Sequence, residues 1–130
     1  MGWLQRLTGR AESAQQDVAE LLSTPRLFRV TSETVSLDDR ETVRRWLREL
    51  DPDLQQQVHI RRPWGAIAAI SDRREPVGAV LTDNEGRSWG AYVPGADDSE
   101  QLTPQQVEDV MLAALTSTER PVGPDWRRLA

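Results

Sequence analysis

Residues 64–93 constrain the fold of this chain more than any other stretch, because only one strand register reconciles their apolar pattern. Three short segments, Trp64–Ser71, Val77–Asp83 and Arg87–Val93, are separated by Asp72-Arg73-Arg74-Glu75 and by Asn84-Glu85-Gly86. The pattern predicts a β-meander. Asn84-Glu85-Gly86 suits a type I turn closed by Gly86 in left-handed geometry, a three-residue loop with a G1 bulge. That loop pairs Asp83 with Arg87, and so brings Leu81 opposite Trp89, Ala79 opposite Ala91 and Val77 opposite Val93. A slip of one residue would send one strand's apolar set to the other face. Reading Asp72 to Glu75 as a four-residue loop pairs Ile70 with Val77 and Ala68 with Ala79, extending the same face. The opposite face then carries Ile67, Ala69, Gly78, Val80, Gly90 and Tyr92, which is too apolar for open water and calls for a cover.

Upstream, Leu4, Leu7, Ala11, Ala14, Val18 and Leu21 recur at spacings of three and four, with Trp3 and Leu22 widening the stripe. This predicts an amphipathic N-terminal helix within residues 1–24. Gly9 weakens its start by about 1 kcal/mol relative to alanine, so residues 11–22 are its firm part, and Thr24-Pro25 stops it. Arg26 to Thr31 read as a strand. Ser36, with Asp39 three positions on, starts a second helix whose buried face is Val43, Trp46, Leu47 and Leu50. Asp51-Pro52 ends it, and Asp53 to Gln56 add one further turn. Residues 57–62 alternate as a strand with Val58 and Ile60 inward and His59 and Arg61 on the other face. Strand, helix and strand over 26–62 fit a right-handed parallel crossover. The last helix opens at Thr103, with Pro104 in its first position, Gln106 completing a capping box, and an apolar stripe of Val107, Val110, Met111 and Ala114. The tail from Glu119 has two prolines and no helical period, and Trp126 is placed to pin it.

The expected fold is α+β: a mixed, mainly antiparallel sheet of about five strands with a C-terminal three-strand meander, flanked by three helices. Residues 1–24 form the N-terminal helix, 25–118 the core domain and 119–130 an irregular tail.

Composition narrows the chemistry. At 130 residues, with 38% hydrophobic and 28% charged residues, the chain is long enough for one real core. It contains no cysteine, which excludes disulfides, thiolate metal sites and thiol nucleophiles. No apolar run is long enough to span a bilayer and the N-terminus lacks a secretory h-region, so a cytoplasmic location is expected. A net charge of −5 argues against non-specific nucleic-acid binding. Every basic residue is arginine, a pattern that a GC-rich genome or selection against lysine modification would each produce. The absent lysine removes Schiff-base and P-loop chemistry.

His59 is the only histidine, and a serine-type triad or a zinc site would both have to use it. Its place on a strand suits an exposed or polar-contact residue. Asp38 and Asp39 sit where a helix N-terminus favours negative charge, and Asp97-Asp98 lies in an acidic loop. Neither pair has the ligand spacing of a calcium site. Ser71 and Ser88 lack the surroundings of a nucleophile elbow. No catalytic, cofactor-binding or metal-binding set is assigned.

Two surfaces stand out. Arg40, Arg44 and Arg48 form a basic row at i, i+4 and i+8, suited by their planar forks to phosphate or carboxylate partners, although a charged helix face is usually solvated. Trp3, Leu4, Leu7, Ala11 and Val18 lie on the N-terminal stripe, which either covers the chain's own sheet or meets another helix; a membrane surface suits it least, with only Arg6 and Arg10 to meet lipid heads. The expected function is a small non-enzymatic protein-interaction module (an adaptor, a chaperone-like or an immunity-type protein) whose partner is another protein or its own copy as a homodimer. An arginine-mediated binder of nucleic acid or a phosphorylated ligand is the alternative, and a hydrolase centred on His59 the third.

Overall fold

The computed structural model describes residues 17–23, 31–72, 75–95 and 101–129. Seven strands form one sheet: β1 (Ala19–Ser23), β2 (Thr31–Val35), β3 (Gln57–Arg62), β4 (Gly65–Asp72), β5 (Glu75–Asp83), β6 (Ser88–Tyr92) and β7 (Asp125–Arg128). Their order is β2-β1-β3-β4-β5-β6-β7, and every neighbouring pair is antiparallel. Two helices, α1 (Arg40–Arg48) and α2 (Pro104–Ala114), pack against each other, α1 over β3 and α2 over β3, β4 and β5. A short 3-10 turn, Pro52–Leu54, joins α1 to β3.

The core lies between these helices and one face of the sheet. The sheet contributes the buried side chains Ala19, Val58, Ile60, Ile67 and Leu81, and the helices contribute Val43, Trp46, Leu47, Val107, Val110 and Met111. Helix α2 starts as expected, whereas α1 starts at Arg40 rather than at Ser36, with Asp39 itself as the cap. Asp39 caps α1 by accepting from the Thr42 N–H at 3.2 Å, and Thr103 with Gln106 forms the full capping box of α2. The Asn84-Glu85-Gly86 loop has the expected form: Gly86 has φ +84°, and Asp83 and Arg87 face each other with the Asp83 N–H donating to the Arg87 carbonyl at 2.9 Å. Leu81 stands opposite Trp89.

The fold class differs from the expected one. Among the described residues it has seven strands and two helices, all pairing antiparallel, in place of a mixed five-stranded sheet with three helices. The parallel crossover is replaced by a hairpin: β2 folds back on β1, and β1 inserts antiparallel between β2 and β3, so β2 and β3 never meet. The helix expected through Leu22 gives way at Ala19–Ser23 to β1. Val18, Leu21 and Leu22 satisfy a helical spacing, but Ala19 and Leu21 also alternate. The strand buries both, at 0% and 8% exposure, against Ile60 and Val58. Residues 1–16 of that helix lie outside the described residues, as do residues 26–30 of the expected strand. Within the tail expected to be irregular, Asp125–Arg128 form β7, with Trp126 opposite Ala91 and its indole N–H donating to the Pro121 carbonyl at 2.9 Å.

A one-residue slip separates the expected and observed pairing of β4 with β5. Ala69 stands opposite Ala79 and Ile67 opposite Leu81, with a bulge between Ile70 and Asp72. Ile67 and Ala69 therefore point into the core, while Ala68 and Ile70 point to the other face. On the loop side of the bulge Asp72 and Glu75 keep the expected register, and the bulge shifts the rest of the ladder by one residue.

Candidate interaction surfaces

The arginine row faces α2. Arg48 donates to both carboxylate oxygens of Glu108, at 2.8 and 3.1 Å. Arg44 lies 3.3 Å from Glu41 and 3.9 Å from Glu108, with its Nε buried and without a hydrogen-bond partner. Arg40 reaches the Leu112 carbonyl at 3.5 Å. The Glu108 side chain is only 9% exposed, and its hydrogen bonds from Arg48 hold its carboxyl below the usual carboxylate range despite the opposing effect of burial. The row thus clamps α1 to α2. Glu108 was legible only as a lone acid beside the apolar stripe of the last helix. Of the N-terminal stripe, Val18 is half-buried and its carbonyl accepts from the Arg61 N–H at 2.8 Å. Trp3, Leu4, Leu7 and Ala11 lie outside the described residues.

At one end of the sheet, Arg62 and Asp83 organise a polar cleft. The Arg62 guanidinium donates twice to the Ser117 carbonyl, at 3.1 and 2.8 Å, and to Asp17 Oδ2 at 3.2 Å. Trp64 Nε1 adds a third donor to the same carbonyl at 3.3 Å. Asp83 collects the backbone N–H groups of Glu85 and Arg87, the Arg87 guanidinium and the Trp89 indole N–H. Burial pushes the Asp83 carboxyl up, but these four donors outweigh it and bring it to about 2. The unfolded chain, with an ordinary value near 3.8, takes up this proton first as pH falls. The turn's contribution is therefore complete above about pH 5 and lost as pH drops from about 4 towards 2. Thermal midpoints should show this directly: the gap between the wild type and Asp83→Asn narrows at the acid end of that range.

His59 lies on the sheet face opposite the helices. Its Nε2 meets Gln57 Oε1 at 2.8 Å on the same strand, and Glu20 stands opposite on β1. Burial lowers its pKa, Arg61 adds to this and Glu20 opposes it. Among the described residues no serine or threonine hydroxyl hydrogen-bonds to it, and no group of three histidine or carboxylate side chains could hold a metal ion. No described helix is long and apolar enough to cross a membrane.

Two further surfaces emerge only in the fold. One is the sheet face opposite the helices, where Leu22, Ala66, Ala68, Ile70, Gly78, Val80, Gly90 and Tyr92 align across β1 to β6. Its charged flanks are Glu20 and Arg61 on one side and Asp125 and Arg127 on the other. The second is the β6–β7 edge. Arg120 and Arg128 lie over the Trp89 ring, 5.1 and 5.7 Å from its centroid, and Arg127 lies 4.7 Å from that of Tyr92.

No family model matches the chain, and no curated protein or solved structure is significantly similar to it.

Proposed function

We propose that this chain is a small non-enzymatic protein-interaction module, adaptor-like, chaperone-like or immunity-type, and that its helix-free sheet face pairs with a second copy. The observation that carries the reading is the one-sided placement of α1 and α2, which leaves the apolar strip from Leu22 to Tyr92 without a described helix over it.

Size and charge favour a second copy as the occupant. Seven strands spaced about 4.8 Å apart and roughly 20 Å long present a face of about 600 Å². Two such faces stacked would bury on the order of 1,200 Å², the lower end of specific interfaces. The chain carries a net charge of −5, yet the acids flanking this face, Glu20 and Asp125, are matched by Arg61 and Arg127. A second copy therefore meets no excess of like charge, and an apolar centre within a polar rim is the usual anatomy of an interface.

Light-scattering mass tests this reading. The full chain at about 100 μM is expected to run as two chains, a concentration well above the Kd of an ordinary stable dimer. Val80→Lys, at the half-buried centre of the face, should give one chain with an unchanged circular dichroism spectrum. A wild-type mass of one chain ends the self-pairing reading. If a form lacking residues 1–16 then pairs while the full chain does not, the chain's own N-terminal segment is the occupant instead.

The arginine row does not favour the phosphate-binding alternative, since Glu108 and the Leu112 carbonyl already engage it. The hydrolase alternative gains nothing from the surroundings of His59.

A further inference from the structure

We propose that the outer edge of β7 takes up an extended acidic segment of another protein as an eighth strand. This inference does not depend on the self-pairing face, which lies on the broad side of the sheet.

The backbone supplies the first half of the argument. In an antiparallel ladder, main-chain groups alternate between the partner strand and the outside. The Leu129 N–H donates to the Ser88 carbonyl at 2.8 Å. By alternation, Arg127 opposite Gly90 and Asp125 opposite Tyr92 face inward, which turns the N–H and C=O groups of Trp126 and Arg128 outward. No described strand pairs with that side. An open edge of this kind is a template for strand addition.

The side chains supply the second half. Arg128 has its backbone on the open edge and its guanidinium over Trp89, which Arg120 also approaches. The Trp89 ring is held in place by its N–H bond to Asp83 Oδ2 at 3.3 Å. Arg120 and Arg128 are exposed, and neither has a carboxylate within ion-pair distance among the described residues. Two such arginines on a fixed aromatic ring, in a chain of net charge −5, form a local basic site beside main-chain donors and acceptors that no described strand pairs. The opposite edge has the other sign: Glu33 stands exposed at the centre of β2. Inward-turned or central charge on an edge strand repels an incoming strand of like charge, so an acidic segment is directed to β7.

The probe is a fluorescein-labelled peptide of about eight residues alternating glutamate and threonine, long enough to cover one strand. Fluorescence anisotropy should show it binding the full-length protein, with affinity falling as salt rises. N-methylation of every second residue, along the edge that would pair, should weaken binding by about tenfold or more by removing the ladder bonds. Arg120→Gln with Arg128→Gln should weaken it by a similar factor; both side chains are exposed, so the variant keeps its fold. Absence of binding overturns the proposal. Equal binding of the N-methylated peptide also overturns it, leaving a plain ionic patch, and equal or tighter binding of a short oligothymidine would mark the Trp89 site as a nucleic-acid platform instead. Val80→Lys should leave peptide affinity unchanged, and the arginine variant should leave the light-scattering mass unchanged, so the two readings fail separately.

Discussion

Deleting residues 1–23 is expected to abolish cooperative unfolding, whereas a chain beginning at Asp17 is expected to keep a cooperative transition. The longer deletion removes β1, and with it Ala19 and Leu21 from the core. Loss of those two side chains alone removes about 3 kcal/mol of burial. The larger effect is topological. Among the described strands β1 alone joins β2 to the rest of the sheet, so its ladders to β2 and to β3 are lost together. Since small domains have only about 5–15 kcal/mol of total stability, the remainder is not expected to fold. Starting at Asp17 keeps the Arg62 ion pair, the Val18 carbonyl's bond to Arg61 and every described pairing of β1. Thermal or urea unfolding followed by circular dichroism decides the matter; a sigmoidal transition in the chain lacking residues 1–23 would refute the placement of β1 in the sheet.

Arg62→Ala is expected to lower stability by about 3 kcal/mol, while Arg61→Ala changes it by no more than about 0.5 kcal/mol. The Arg62 side chain is 10% exposed and ties three parts of the molecule together: the Ser117 carbonyl beyond α2, Asp17 before β1, and its own strand β3. Its removal leaves the Ser117 carbonyl with the single donor of Trp64 and leaves Asp17 without its cation. Arg61 points to the opposite face and is exposed. Urea midpoints of the two variants should separate clearly, and equal midpoints would mean that the Arg62 network carries no stability.

These two arginines show where sequence reasoning reaches its limit. Adjacent and identical in type, they differ only in which face of β3 each occupies and in what the rest of the chain brings there. The alternation of Val58 and Ile60 placed Arg61 outside; nothing local indicated that Ser117 and Asp17, both far along the chain from Arg62, would converge on it. The same holds for Arg48, legible as one of a basic row but not as the partner of Glu108. It holds equally for the tail, where two prolines concealed a strand that forms only because β6 offers it an edge.

Local physics alone settled a good deal. The capping box at Thr103, the buried stripe of α1, the inward pair Val58 and Ile60, and the left-handed Gly86 turn with its Leu81–Trp89 register are all short-range consequences of side-chain chemistry and backbone geometry. The tertiary structure decided what short-range rules leave balanced. Residues 18–22 satisfy both a helical and an alternating period, and strand geometry prevails because β3 offers Val58 and Ile60 as partners for Leu21 and Ala19. The register of β4 turns on a bulge near Ile70, set by which isoleucine the core accepts. Strand pairing between distant segments is a collective choice, made by the burial that the whole sheet achieves, and no window of the chain contains both sides of it.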